Sequence, residues 1–382
     1  MSAPPSFQRL SRWSGTGGFV LLLLCALAGV FAPSTFFEGY LTAFIFWIEI
    51  ALGCLFLLLI QNLTGGRWGL VVTRLLEAGM WTLPLCAVLF VPVLAGMSWL
   101  YPWVHPMGGE VGRLVHGKAA YLNVPFYVVR AIVTFAILAA ISYWLRARSL
   151  VRATDPAAVP AMQKWSGPLL IVFVLLMNFA SVDWVMSLNP EWYSSMFVVA
   201  FVSEQSVVVV AWCIVVLDCL KYLAPLRRVL TERVVHDLGN LLLGFTCFWT
   251  YITFMEYIIV WTGDLPHDVV WFVDRSSTGW KIFAVVLIVL HFVLPLSFLI
   301  FTAISKDLGR LARVAGLVLV AHFAQVIWWI EPAFGKSFHL AWTSPLLIIA
   351  VGGIWLSAYL CNLGAAPLLV LELETEKEAV RA

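Results

Sequence analysis

Charge is scarce in this chain. Lysine, arginine, aspartate and glutamate make up only 12% of 382 residues, against 62% hydrophobic residues and a mean hydropathy of +0.95. That apolar surplus exceeds what a water-soluble core can hide, which excludes a soluble globular domain and implies an all-α polytopic membrane protein. Paired cysteines are also missing. The seven cysteines stand in or beside apolar stretches, with no CxxC and no Cys/His cluster at zinc or iron–sulfur spacing, so they read as small buried residues and no metal site is expected. Gly-rich nucleotide loops and catalytic-triad spacings are lacking too, so no catalytic residue is nominated. The formal net charge of +2 gives no reason to expect nucleic acid as a partner.

What the chain does have is long apolar runs. Crossing about 30 Å of hydrocarbon takes about 20 apolar residues, and ten such runs lie near 17–32, 40–60, 69–97, 122–145, 167–188, 194–221, 235–262, 280–303, 311–331 and 341–361. Pro84 and Pro92 are expected to kink the long third run. Arg9 and Arg12 precede the first run without a small-residue cleavage site after it, which reads as a retained helix rather than a signal peptide. Seventeen of the 23 basic residues, Arg74 among them, fall in loops on the N-terminal side. Only Arg113, Lys118, Arg275, Lys281 and Lys336 fall on the other, with Arg130 inside a span. The positive-inside rule then places both termini in the cytoplasm. Tryptophans 99, 103, 192, 261, 271, 280, 328, 329 and 342 gather on the opposite side and read as an aromatic belt. Residues 98–121 and 263–279 form the two long outer loops.

The few ionisable groups inside the runs are the informative ones, because a charge at mid-bilayer costs at least about 2.5 kcal/mol. Helices 2 to 9 carry Glu49, Glu77, Arg130, Asp183, Glu204, Glu256, His291 and His322 in turn. This suggests two four-helix units with polar interiors, residues 40–188 and 194–331. Helices at 17–32 and 341–361 would flank them, and a cytoplasmic tail at 362–382 would complete a single membrane domain. Glu49, Glu204, His291 and His322 lie nearest the midplane. Carboxylates and imidazoles at that depth can pass protons by way of water.

Structural roles stand beside that reading. Arg130 pairs with Asp183 in one account, His291 donates to the carbonyl freed by Pro295 in another, and His322 is a satisfied core histidine in a third. Gln205 and Tyr257 are potential partners for Glu204 and Glu256. A lipid-facing pocket for quinol would use Asp183, Trp184 and Trp192. A single haem between helices 8 and 9 would draw on His291 and His322.

"DWVMSLNPEWYSSMF" at 183–197 resembles the D-W-x-M-S-L-E-P-x-W-[FY]-S signature of the F subunits (ActF) of alternative complex III, in the NrfD and polysulfide-reductase membrane-subunit superfamily. "KAAYLNVPFYVVR", "FMEYIIVWTGDLPHDVVWFVDRSSTGW", "HFVLPLSFLIF" and "HFAQVIWWIEP" agree in order, and the resemblance spans roughly 20–360. It implies a bacterial inner-membrane subunit of a respiratory quinol:cytochrome c oxidoreductase without a cofactor of its own, contributing a proton pathway. Haem c and iron–sulfur clusters would belong to partners: a sister NrfD-like subunit, an iron–sulfur protein, c-type cytochromes and in some assemblies a terminal oxidase. The chain departs from the family at Asn189 and Glu191, at Gln325 where an aspartate is common, and at Glu256 where glutamine is common. Glu256 would then supply the carboxylate that Gln325 withholds. Other readings of the same charges are the quinol-binding subunit of that complex, a stand-alone proton-coupled transporter, and a scaffold that moves no protons.

Overall fold

A computed structural model describes residues 5–152, 155, 157–335 and 337–369. The tail 370–382, with Lys377 and Arg381, and Lys336 in the last loop lie outside the described residues. Among those described, helices of α, 3-10 and π type account for all regular structure. Ten are long and apolar enough to cross a membrane: Phe7–Gly29, Pro33–Thr64, Val71–Ala95, Val124–Val151, Ala158–Leu188, Phe197–Leu220, Glu232–Gly263, Thr278–Leu299, Leu308–Phe334 and Thr343–Gly364. They are called helices 1 to 10 below.

Each expected run is present, and the differences have physical causes. Helix 1 starts ten residues early and includes Arg9 and Arg12, since its Gly- and Ser-rich first turns pack on helix 10, where Ser11 Oγ donates to the Ser357 carbonyl. Helix 3 is broken at Trp81–Thr82 and again at Phe90, just before Pro84 and Pro92 enter the first turns of the next segments. Proline cannot donate to the preceding turn, so it restarts a helix more readily than it continues one. The long loops contain short helices of their own, Gly109–Gly117 and Pro266–Asp274.

Burial differs sharply among the helices. Helix 2 is hydrophobic on all sides and 83% of its most apolar stretch is buried, helix 6 follows at 78%, and helices 1 and 7 fall to 17%. Helices 2 and 6 therefore form the middle of the molecule, packed on each other, with helix 9 against both. This packing crosses the expected division between residues 40–188 and 194–331. Gly53 permits it: a Cβ there would stand 2.5 Å from the Gln205 carbonyl oxygen. Gly53→Ala must push the two backbones apart, and its thermal unfolding midpoint is expected to fall by the equivalent of about 1–3 kcal/mol.

The tryptophan belt is only partly a belt. Trp99, Trp261 and Trp342 are exposed, but Trp103, Trp192, Trp271, Trp280 and Trp329 are buried. Trp192 stacks on Trp271 at 5.2 Å, and Trp328 meets both Trp271 and Trp280 edge-on. These rings build one end of the core.

Candidate functional site

Four of the predicted groups converge from four helices at the middle of the bundle. Glu49 comes from helix 2, Glu204 from helix 6, His291 from helix 8 and His322 from helix 9, and none has any exposed surface. His322 stands between the carboxylates. Its Nδ1 shares a 2.8 Å hydrogen bond with Glu204 Oε1, and its Nε2 lies 3.5 Å from Glu49 Oε2. His291 Nε2 approaches the same Glu204 oxygen at 3.6 Å. The order in space is thus Glu49, His322, Glu204, His291.

Local chain features aim these groups. Gly53 brings helix 2 against helix 6 one turn from Glu49. Helix 8 widens to a π turn over Val289–Val293, where the Leu294 N–H reaches back to the Val289 carbonyl just ahead of Pro295. Such turns add a residue to the ladder and recur at functional sites. Here one puts His291 on the buried face, stacked 4.1 Å from the Trp249 ring, while Phe46 covers His322 at 4.8 Å. The expected bond from His291 to a proline-freed carbonyl is not made: neither ring nitrogen has a hydrogen-bond partner among the described residues.

The tetrad's electrostatics follow from its burial. Two buried carboxylates facing two imidazoles can share protons among the four groups, an arrangement that limits the charge buried at any one of them. Among the described residues, both Glu49 oxygens, Glu204 Oε2 and both His291 nitrogens have no hydrogen-bond partner. Buried polar atoms are normally satisfied, so these five leave room for a proton to change owner or for water to bridge. The haem arrangement does not fit. The two histidines face one carboxylate oxygen, which fills the space a macrocycle would need.

The other predicted residues sit elsewhere. Arg130 and Asp183 form a two-pronged pair, Nε to Oδ2 and Nη2 to Oδ1 at 2.8 Å each. Arg130 Nη1 also donates to the Tyr121 carbonyl, and its guanidinium lies 3.8 Å from the Tyr121 ring and 4.4 Å from the Phe126 ring. Glu77 is held by Arg74 of its own helix and by the Ser149 hydroxyl of helix 4. Arg74, a loop cation by its place in the sequence, is buried, held by Glu77 three residues on and by the Ser149 hydroxyl. Glu256, on helix 7, accepts from Ser194 near the outer end and does not join the tetrad, and Gln205 Nε2 points to the Met177 sulfur rather than to Glu204. Trp184 is packed among Phe44, Phe90 and Phe135, and Trp192 on Trp271. The first unit's interior is therefore aromatic between its ion pairs, not continuously polar.

Two features escaped the sequence reading. Arg275, expected as an outer-loop charge, is 2% exposed and donates to three main-chain carbonyls, those of Trp271, Trp328 and Trp329. Burial drives its pKa well down, with Asp274 opposing. It caps the end of helix 9, where carbonyls lack intrahelical donors. Arg275→Met is expected to lose about 2–3 kcal/mol of stability, the worth of charge-assisted bonds left unmade, readable as a lower unfolding midpoint. The second is a cluster of Glu38, Glu331 and His339, where Glu331 stands at the end of the ninth apolar run and Glu38 just ahead of the second.

Neither a protein-family model nor a curated protein matches this chain. Among the described residues no group of three or more His, Cys, Asp or Glu is arranged to hold a metal ion. The class supported by fold and site is a polytopic helical membrane protein with a buried carboxylate–imidazole tetrad.

Proposed function

We propose that this chain is the proton-conducting membrane subunit of a respiratory quinol-oxidising complex of the alternative complex III type, with the tetrad as the central station of the path. The carrying observation is the convergence of Glu49, Glu204, His291 and His322 from four helices into one unexposed cluster, with five polar atoms lacking partners. A scaffold has no use for so costly an arrangement. The sequence resemblance supplies the context: a bacterial inner membrane, both termini cytoplasmic, and haem and iron–sulfur partners that carry the electrons.

In this reading a proton enters from the N-terminal side, where Glu77, Arg74 and Arg146 line a small cavity together with Asn362. It is held in the tetrad by exchange between His322 and the two carboxylates, and His291 takes it onward from Glu204. The Arg130–Asp183 pair is a structural tie outside the path, which disfavours the quinol pocket built on Asp183 and Trp184.

The test is the ratio of protons moved to electrons transferred by the purified complex in liposomes. His322→Phe should lower the ratio while quinol oxidation continues. An unchanged ratio in an assembled complex rejects the path. Proton-coupled solute uptake by the chain alone, without haem or iron–sulfur partners, would favour a transporter, a reading to which the interrupted helix 8 also lends itself.

A further inference from the structure

The outer ends of helices 2 and 9 are tied to one short segment by two carboxylates. Glu331, with no exposed surface, ends helix 9 and accepts from the Ala341 N–H at 3.1 Å and the Ser344 hydroxyl at 2.7 Å. Glu38, in the second turn of helix 2, lies 3.0 Å from His339 Nε2. Thr343 Oγ1 adds a 2.7 Å bond to the Thr35 carbonyl. Residues 337–342 are thus strapped across the helix ends, with Phe338 against the Trp280 ring at 4.9 Å.

The same two helices carry half of the tetrad. Glu49 follows Glu38 by eleven residues, about 16 Å along the axis and within about 20° of the same face. Thr42, also buried, lies between them. His322 precedes Glu331 on helix 9. Glu256 is held by Ser194 instead.

We infer that Glu38, Glu331 and His339 form the release station through which protons from the tetrad reach the face opposite the N-terminus, and that residues 337–342 are its pH-sensitive cover. This rests on the proton-path reading above and adds the exit and its regulation.

The groups facing His339 are Glu38 and Glu331. Burial works against its protonation, but the Ser337 carbonyl and the two carboxylates outweigh that and lift its pKa above the ordinary 6.5. A histidine with a raised folded pKa contributes its stabilisation fully below the ordinary value and loses it as pH rises through the raised one. The strap is therefore held down in an acidic outer phase and loosens in an alkaline one. Release slows as protons accumulate outside, which makes the strap a brake matched to the gradient.

The strap is tested on the full-length chain in liposomes. Ala341→Cys, at a position 4% exposed, reports access from outside to a membrane-impermeant maleimide. Leu340→Cys, 49% exposed in the same strap, corrects for the pH dependence of thiol reactivity, and mass mapping separates both from the native cysteines. The Ala341→Cys rate relative to Leu340→Cys should rise about tenfold between pH 6 and pH 8.5, the worth of one charge-assisted hydrogen bond. With His339→Gln the relative rate should be flat. A relative rate that ignores pH in the His339 protein overturns the cover. For the station, Glu331→Gln in the assembled complex should lower the proton-to-electron ratio. A normal ratio there, with the ratio lowered by His322→Phe, overturns the station and leaves the tetrad path standing. Normal ratios in both reject the path itself, whatever the labelling shows.

Discussion

On the proposed proton path, Glu204→Gln is expected to remove most of the proton translocation of the assembled complex while leaving the fold about as stable as before. Glu204 is the only group of the four in contact with both histidines. The amide keeps the shape and a hydrogen bond to His322 but cannot take a proton, so the path is cut at its centre. Stability should change little, because the amide has the volume of the carboxylate, keeps a hydrogen-bonding oxygen for His322 and leaves no permanent cation unpaired. The proton-to-electron ratio and the unfolding midpoint, measured on one preparation, give the diagnosis. A functional charge shows a lost ratio with a steady midpoint; a lowered midpoint with a normal ratio would make Glu204 structural.

Arg130→Met should do the reverse. Its guanidinium makes two bonds to Asp183, one to the Tyr121 carbonyl and contacts with the Tyr121 and Phe126 rings. Removing it leaves the Asp183 carboxylate buried and alone. Breaking a buried pair from one side costs about 3–5 kcal/mol, a large share of a membrane domain's margin. Asp183→Leu alone should cost a similar amount, and Arg130→Met with Asp183→Leu should recover much of the loss. The double-mutant cycle, read from unfolding midpoints in mild detergent, measures the coupling. Whatever folds should translocate protons normally; a selective loss of coupling in Asp183→Asn would make Asp183 a relay after all.

These two predictions differ although both residues drew the same notice in the sequence. Asp183 and Glu204 are each an acid in an apolar run. What separates them is the neighbour: a permanent cation from helix 4 for Asp183, titratable imidazoles from helices 8 and 9 for Glu204. Spacing along one helix cannot report that. Arg275 makes the same point from the other direction. In the sequence it is one more loop cation, and only the end of helix 9, more than fifty residues on, gives it three carbonyls and a buried place.

Sequence by itself determined the all-α membrane class, the ten crossings within a few residues at most ends, the proline breaks of helix 3 and the depth at which Glu49, Glu204, His291 and His322 lie. These follow from local quantities: the length of apolar runs, the rise of a helix and the missing N–H of proline. Tertiary structure alone decided which acids meet bases that keep their charge and which meet bases that can give it up. It also decided that Glu49 crosses from one expected unit to serve the other, and that Glu38, Glu331 and His339 share one outer cluster. The reason is physical. In a chain so poor in charge the cost of each ionised group is set by its few nearest neighbours, and packing among distant helices chooses those neighbours.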